Sequence, residues 1–211
     1  FQENRPKLII VQGDTTTAFA SALAAFYQNI PVAHIEAGLR TEDLMNPFPE
    51  ELNRRLISQI ATLHFAPTKL SKKNLLNSGI DKHIEVTGNT VIDSLLLISE
   101  REETFSIKDV DLSNKRMILA TIHRRENWGE KFKNIIKGIK KIVDSFPDVV
   151  VLIPMHRNPN LRNYLFELLS NNKQVILIEP LNYNDLVSAM KRSYIVITDS
   201  GGLQEEAPTF G

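Results

Sequence analysis

Ile30-Pro31-Val32-Ala33-His34-Ile35-Glu36-Ala37-Gly38-Leu39-Arg40-Thr41 runs on to Asn46-Pro47-Phe48-Pro49-Glu50-Glu51-Leu52-Asn53-Arg54-Arg55, and reads as strand, loop and helix in that order. The segment Ile30 to Ile35 is short, apolar and β-branched, as a buried strand is, so Glu36 falls at its carboxyl end. Ligands of open α/β sheets sit at that edge. After Pro49, apolar residues at Leu52, Leu56, Ile57 and Ile60 have helical spacing, which puts Glu50 in the first turn of a helix. A carboxylate there is favoured by the helix dipole. The plain alternative is that Glu50 only opens a helix and Glu36 only ends a strand.

Upstream, Lys7 to Gln12 is a buried-strand run, followed by Gly13-Asp14-Thr15-Thr16-Thr17 and a small-residue helix from Ala18 to Tyr27. Asp14 thus stands at the carboxyl edge like Glu36, either as a helix N-cap or as part of a site. Consecutive parallel strands lie near each other, which favours grouping the two. Threonines at such a turn can cap the helix and present hydroxyls and N–H groups to an anion.

Downstream, Leu63 to Thr68 is a strand in which His64 is structural. Lys69 to Asn77 is a helix, and Ile84 to Thr90 leads by a glycine turn into a helix over Val91 to Glu100. From Arg101 to Asn114 the apolar period is lost and charges dominate, which suggests a linker. The alternation then restarts with a strand from Arg116 to Ile122 ending at His123-Arg124-Arg125-Glu126-Asn127, and a helix from about Lys131 to Phe146. A strand from Val149 to Met155 ends at His156-Arg157-Asn158-Pro159. Strands at Val175–Ile178 and Tyr194–Thr198 follow, separated by a helix beginning near Tyr183. The last strand delivers Asp199-Ser200-Gly201-Gly202 into a helix.

This order predicts an α/β protein of two Rossmann-like parallel-sheet domains with a cleft between their carboxyl edges: 1–100, a linker over 101–114, and 115–211. The first supplies carboxylates. The second supplies cations and bare backbone: His123 and Arg124 at one strand end, His156 and Arg157 at another, and Ser200-Gly201-Gly202, whose N–H groups at a helix start can approach a phosphate. Glu205 or Glu206, one to two turns on, is within reach of a ribose hydroxyl pair. The ligand these residues suit is anionic, most simply a nucleoside diphosphate.

Composition bounds the function. The chain has 211 residues with 25 Lys+Arg against 25 Asp+Glu, and a net charge of zero argues against a nucleic-acid or anionic-membrane surface. It has no cysteine, which removes disulfides, thiolate metal sites and a cysteine nucleophile, and fits a reducing cytoplasm. No apolar run approaches the roughly 20 residues that span a bilayer. No His-x-x-x-His or paired-aspartate spacing suggests a metal. Beginning at Phe1 and stopping at Gly211, the chain reads as cut at both ends.

Six stretches carry a resemblance: Gly13 to Thr17, His34 to Thr41, Asn46 to Arg54, Thr87-Gly88-Asn89-Thr90-Val91-Ile92-Asp93, His123 to Asn127, and Asp199-Ser200-Gly201-Gly202-Leu203-Gln204-Glu205-Glu206-Ala207. Together, in this order across the whole chain, they resemble the non-hydrolysing UDP-N-acetylglucosamine 2-epimerases. The resemblance implies a glycosyltransferase-B-like fold and interconversion of UDP-GlcNAc and UDP-ManNAc without cofactor or metal. It implies Asp14, Glu36, Glu50 and His123 as catalytic residues. Arg124, His156, Ser200, Gly201 and Glu206 match its UDP or nucleotide-sugar positions, with Gly202 beside them. A cytoplasmic homodimer is expected. Family members begin with a further strand and a glycine-arginine-proline turn and continue past the position of Gly211. A hydrolysing 2-epimerase, a glycosyltransferase of the same fold and a non-catalytic nucleotide-sugar-binding protein are the rival readings.

Overall fold

The computed structural model describes residues 5–101, 105–107, 110–124 and 127–211. By contact the chain divides into two units, the first ending at Thr90 and the second beginning at Val91.

The first unit alternates β1 (Ile9–Gln12), α1 (Thr16–Tyr27), β2 (Val32–Ile35), α2 (Glu50–Ile60), β3 (Leu63–Ala66), α3 (Lys69–Asn77) and β4 (Ile84–Val86). Its four strands form one parallel sheet in sequence order. Ala18, Ala22 and Ala25 recur at helical spacing on α1 and are buried, so this helix packs closely on Val11 and Val32 of the sheet and on Ile57 of α2. The cap of α1 is Thr15, whose Oγ1 accepts from Ala18 N at 3.1 Å. Asp14 is therefore not the N-cap, and its carboxylate is left for other partners.

The second unit holds α4 (Thr90–Ser99), β5 (Arg116–Thr121), α5 (Glu130–Ser145), β6 (Val149–Pro154), α6 (Pro159–Leu169), β7 (Val175–Ile178), α7 (Tyr183–Arg192), β8 (Ile195–Thr198) and α8 (Gly201–Glu206), with a 3-10 turn at Ala207–Phe210. The parallel sheet runs β7-β6-β5-β8. Successive side chains of β5 go to opposite faces. Ile118 and Ala120 join a core with Phe132, Ile136 and Ile139 of α5 and Leu161 and Leu165 of α6, while Met117 and Leu119 join another with Leu95, Val187 and Met190. Burial on both faces is why β5 and β6 read as unbroken apolar runs.

Three differences from the sequence reading have physical causes. Helix α4, placed by sequence at the end of the first domain, belongs by packing to the second, because Leu95 is fully buried in the second unit's core. The stretch read as a linker is no free tether where it is described: Phe105, Ile107, Val110 and Leu112 pack on that same core, while residues 102–104 and 108–109 lie outside the described residues. Helix α6 lies beyond the elements that the apolar pattern marks, and Asn158 and Pro159 are its cap and first-turn pair, Asn158 Oδ1 accepting from Asn160 N at 3.0 Å. Among the described residues no helix is long and apolar enough to cross a membrane.

The turn after β2 is fixed by Gly38, whose φ is +89° and whose carbonyl accepts from Asn74 Nδ2 at 3.0 Å. A β-carbon there would stand 2.2 Å from the Ser71 carbonyl oxygen. Gly38→Ala is therefore expected to destabilise the protein by about 3 kcal/mol or more, combining left-handed strain with a backbone clash. In urea titrations the midpoint should fall with the slope unchanged, and an unshifted midpoint would show that α3 does not pack against this turn.

Candidate active site

At the carboxyl edge of the first sheet, Gly13 N donates to Ile35 O at 3.1 Å and Ala37 N to Phe65 O at 3.0 Å, carrying the ladder past the strand ends. Glu36 lies between these bonds with φ +68°, a left-handed conformation that costs a non-glycine residue roughly 1–3 kcal/mol and occurs where the surroundings over-determine it. Its Oε2 stands over Gly13, 3.6 Å from where a β-carbon would be. The next residue, Asp14, forms an ion pair with Arg54 of α2, and its backbone carbonyl accepts from Asn53 Nδ2 at 2.9 Å. Glu50 precedes Asn53 and Arg54 by three and four residues, so it shares the helix face that meets Asp14. Asp14, Glu36 and Glu50 are thus brought to one edge.

The residue that holds this edge is one the sequence reading passed over. Glu51 has no exposed surface, and its carboxylate accepts from Thr41 N at 3.0 Å and Arg55 Nε at 2.7 Å, with Arg54 Nη1 at 3.4 Å. Arg55 in turn donates to the Thr41 carbonyl at 2.8 Å, and Arg40 donates to Ser58 Oγ at 3.0 Å. The loop from Gly38 to Pro49 is thereby tied to α2, and Arg54 is steadied opposite Asp14. Two adjacent glutamates at a helix start give no sign of which one turns inward. The Asn46–Pro47 and Phe48–Pro49 peptide bonds of this loop are both cis.

In the second sheet the chain reverses direction between β5 and β8, the position where open α/β sheets form a ligand crevice. Thr121 and Thr198, paired in register, share a hydroxyl hydrogen bond of 2.6 Å. Just beyond them the Asp199 carboxylate accepts from His123 N, Arg124 N and Asn127 Nδ2 at 2.9–3.0 Å, and lies 3.1 Å from His123 Nδ1. The His123 ring stacks on His156, with centroids 5.8 Å apart and 11° between the planes. Arg124 Nη2 is 3.2 Å from where a β-carbon on Gly201 would stand, so the guanidinium lies across the start of α8. Gln204 N to Ser200 O is the first bond of that helix, which leaves the N–H groups of Gly201 and Gly202 without intrahelical partners.

A cavity of about 290 Å³ opens at this edge, lined among others by His123, Met155, His156, Pro180, Leu181 and Ser200. Glu206 does not line it. Burial pushes the Glu206 carboxyl above the usual range, opposed by the Tyr183 hydroxyl, which donates to Oε1 at 3.2 Å. Asp199 and Asn127 were quoted in the sequence motifs without a role, while Arg125 and Glu126 lie outside the described residues. Among the described residues no group of three His, Asp or Glu is arranged to hold a metal.

The sequence profile of UDP-N-acetylglucosamine 2-epimerase matches residues 1–211. The chain belongs to the UDP-N-acetylglucosamine 2-epimerase family. A putative UDP-N-acetylglucosamine 2-epimerase of Thermotoga maritima is 51% identical over 99% of this chain and 56% of its own length. The crystal structure of the Neisseria meningitidis UDP-GlcNAc 2-epimerase bound to UDP-GlcNAc superposes with a TM-score of 0.90 at 48% identity, over 99% of this chain and 58% of that one. A UDP co-structure of S. aureus MnaA gives 0.89 at 42% identity, over 99% and 57%. The chain therefore spans a little over half the length of these relatives, and its two Rossmann-like sheets are of the glycosyltransferase-B-like type.

In this member of the epimerase family the floor of the carboxylate edge is His34. It is fully buried on β2 in register with Val11 and His64, and its Nε2 bonds to the Gly13 carbonyl at 2.9 Å while Nδ1 is buried without a partner. Burial lowers its pKa from 6.5 to about 4, only partly offset by the Gly13 bond. The same cause lowers His64. A histidine held neutral in the fold but not when unfolded gives stability that is complete above pH 6.5 and is lost as pH falls toward 4. The His34 term is on the order of 3 kcal/mol. Denaturation midpoints should therefore drop between pH 6.5 and 4, and His34→Gln should flatten part of that slope. A slope unchanged by the substitution would mean that His34 titrates normally.

Proposed function

We propose that the protein epimerises C2 of a UDP-linked N-acetylhexosamine, interconverting UDP-GlcNAc and UDP-ManNAc for surface polysaccharide synthesis. The observation that carries this is Asp14 and Glu36 at one sheet edge with Glu50 in the first turn of the helix whose Arg54 meets Asp14, in a chain whose relatives include a UDP-GlcNAc 2-epimerase bound to UDP-GlcNAc. Transfer of a sugar to an acceptor gives no reason to collect three carboxylates there.

The hydrogen on C2 is not adjacent to a carbonyl, so its direct removal would leave an unstabilised carbanion. Breaking the C1–O bond instead leaves the electron pair on the UDP oxygen, and loss of the C2 proton to a base forms the C1–C2 double bond of 2-acetamidoglucal. Addition of UDP back to C1, with a proton delivered to the opposite face of C2, gives the epimer. No cofactor is needed. Glu36 and Glu50 are the proton-transfer candidates, and Asp14, ion-paired with Arg54, tunes one of them. His123, Arg124 and the Ser200-Gly201-Gly202 helix start are assigned to the departing diphosphate, and His156 and Glu206 to the rest of UDP. Their support is the stacked histidines, the guanidinium laid across Gly201 and the open N–H groups of α8. The same reading takes the protein as a cytoplasmic homodimer, which sedimentation of the complete polypeptide tests.

Two measurements decide the chemistry. In deuterium oxide the complete polypeptide should place deuterium at C2 of the product, because the proton passes through an enzyme base that exchanges with solvent. Glu36→Gln and Glu50→Gln should each lower kcat by about 100-fold or more with UDP affinity little changed, and His123→Ala should lower kcat far more than it weakens UDP. Product without deuterium at C2, or both amide variants at full rate, would remove the carboxylates from the mechanism.

A further inference from the structure

We infer that Asp199 is a positioning residue that fixes the His123 imidazole with hydrogen on Nδ1, leaving Nε2 as the ring nitrogen open to a ligand. The inference rests on the role proposed for His123. Asp199 is the first residue beyond β8, and its own N–H donates to the Thr121 carbonyl at 3.2 Å, which sets it beside the end of β5. Its side chain is only 12% exposed. A carboxylate accepts and does not donate, so it is satisfied by donors and repels a neighbouring lone pair. Three of them are committed: the backbone N–H groups of His123 and Arg124 and the Asn127 amide, at 2.9–3.0 Å. The fourth is His123 Nδ1 at 3.1 Å, a contact at which a bare lone pair would be repelled by the carboxylate, so the tautomer with hydrogen on Nδ1 is the one this placement favours.

Those backbone bonds have a second effect. They hold the carboxylate in place, so the imidazole is oriented by a group that cannot swing with it. The parallel His156 ring, 5.8 Å away, restricts the other direction of movement. In the protonated state the ring directs its remaining N–H, at Nε2, outward to a departing diphosphate oxygen. In the neutral state it presents a lone pair at the same atom, ready to take that proton back when UDP re-adds. A neutral ring free to adopt the other tautomer would carry its hydrogen on Nε2, leaving no lone pair there to take the proton back, and would lose one direction of the reversible reaction.

The test uses the complete polypeptide labelled with ¹⁵N-histidine, with the His123 signals assigned by their loss in His123→Ala. At mildly alkaline pH, wild-type His123 should be the Nδ1–H tautomer. Asp199→Asn keeps the shape but offers an amide in place of one accepting oxygen. It should move His123 toward the Nε2–H tautomer and lower kcat by about 100-fold. UDP affinity, read by calorimetry, should change by less than about tenfold. Added to His123→Ala, the same substitution should cost little further turnover, because a residue acting through His123 has nothing left to act on. A wild-type Nε2–H tautomer overturns the inference, and that spectrum is readable even if the variant does not fold. So does an Asp199→Asn loss of full size in the His123→Ala background. Full turnover in His123→Ala alone would instead sink the proposed use of His123, and the tautomer, read without turnover, tells the two failures apart.

Discussion

A carboxylate with no exposed surface must find donors within the protein, and Glu51 finds them in Thr41 N, Arg55 and Arg54. Leaving such a charge unpaired would cost several kcal/mol, so the three donors are held as firmly as the acid. One of them belongs to the loop after β2, and the other two belong to α2. The bond network therefore decides where that loop lies and where Arg54 points. Asp14 meets Arg54, and Glu50 shares its face of α2, so the carboxylate edge takes its shape from a residue that need not touch any ligand. Asp199 does the corresponding work in the second unit, collecting donors from the turn after β5 on an acid carried by β8.

Much of this was legible in the sequence. Alternating apolar runs and helical spacings place the eight strands of the described residues, and the acidic and His-Arg residues stand at strand ends on the two edges. Parallel sheets make this possible, because the carboxyl end of every strand opens on the same side. The acids that hold each edge were not legible. Glu51 sits beside Glu50, and Asp199 beside Ser200, and nothing in one-dimensional order says which of two neighbours faces inward. That depends on a donor 10 residues away in one case and about 76 in the other. The boundary between units escaped for a related reason, since α4 continues the first unit's rhythm of elements but buries Leu95 in the second unit's core.

Strand order adds a distinction that element order alone does not give. The first sheet runs β1-β2-β3-β4, so among the described strands it has no point where the chain reverses direction. Its site is built by side chains brought in from α2 and its loop. The second sheet runs β7-β6-β5-β8 and has such a point, where two strand ends diverge and leave a crevice. The cavity there is lined by residues following β5, β6, β7 and β8. One edge is thus shaped by the backbone and the other by ion-paired side chains.

Two glycine-containing motifs that look alike in sequence do different work. At Gly13 a β-carbon would meet Glu36 Oε2 at 3.6 Å, an ordinary van der Waals distance, so room is not what calls for glycine. The φ of +69° is, because it turns the chain sharply enough for Gly13 N to bond Ile35 O while its carbonyl meets His34. At Gly201 the backbone is ordinary helix, and the constraint is the Arg124 guanidinium at 3.2 Å. A side chain there would make the cation give way by a few tenths of an ångström at the helix start, where it and the open N–H groups present positive charge together. The first glycine sets a direction for Asp14. The second keeps the start of α8 bare beside a cation, so two glycine-containing turns at strand ends answer to different constraints.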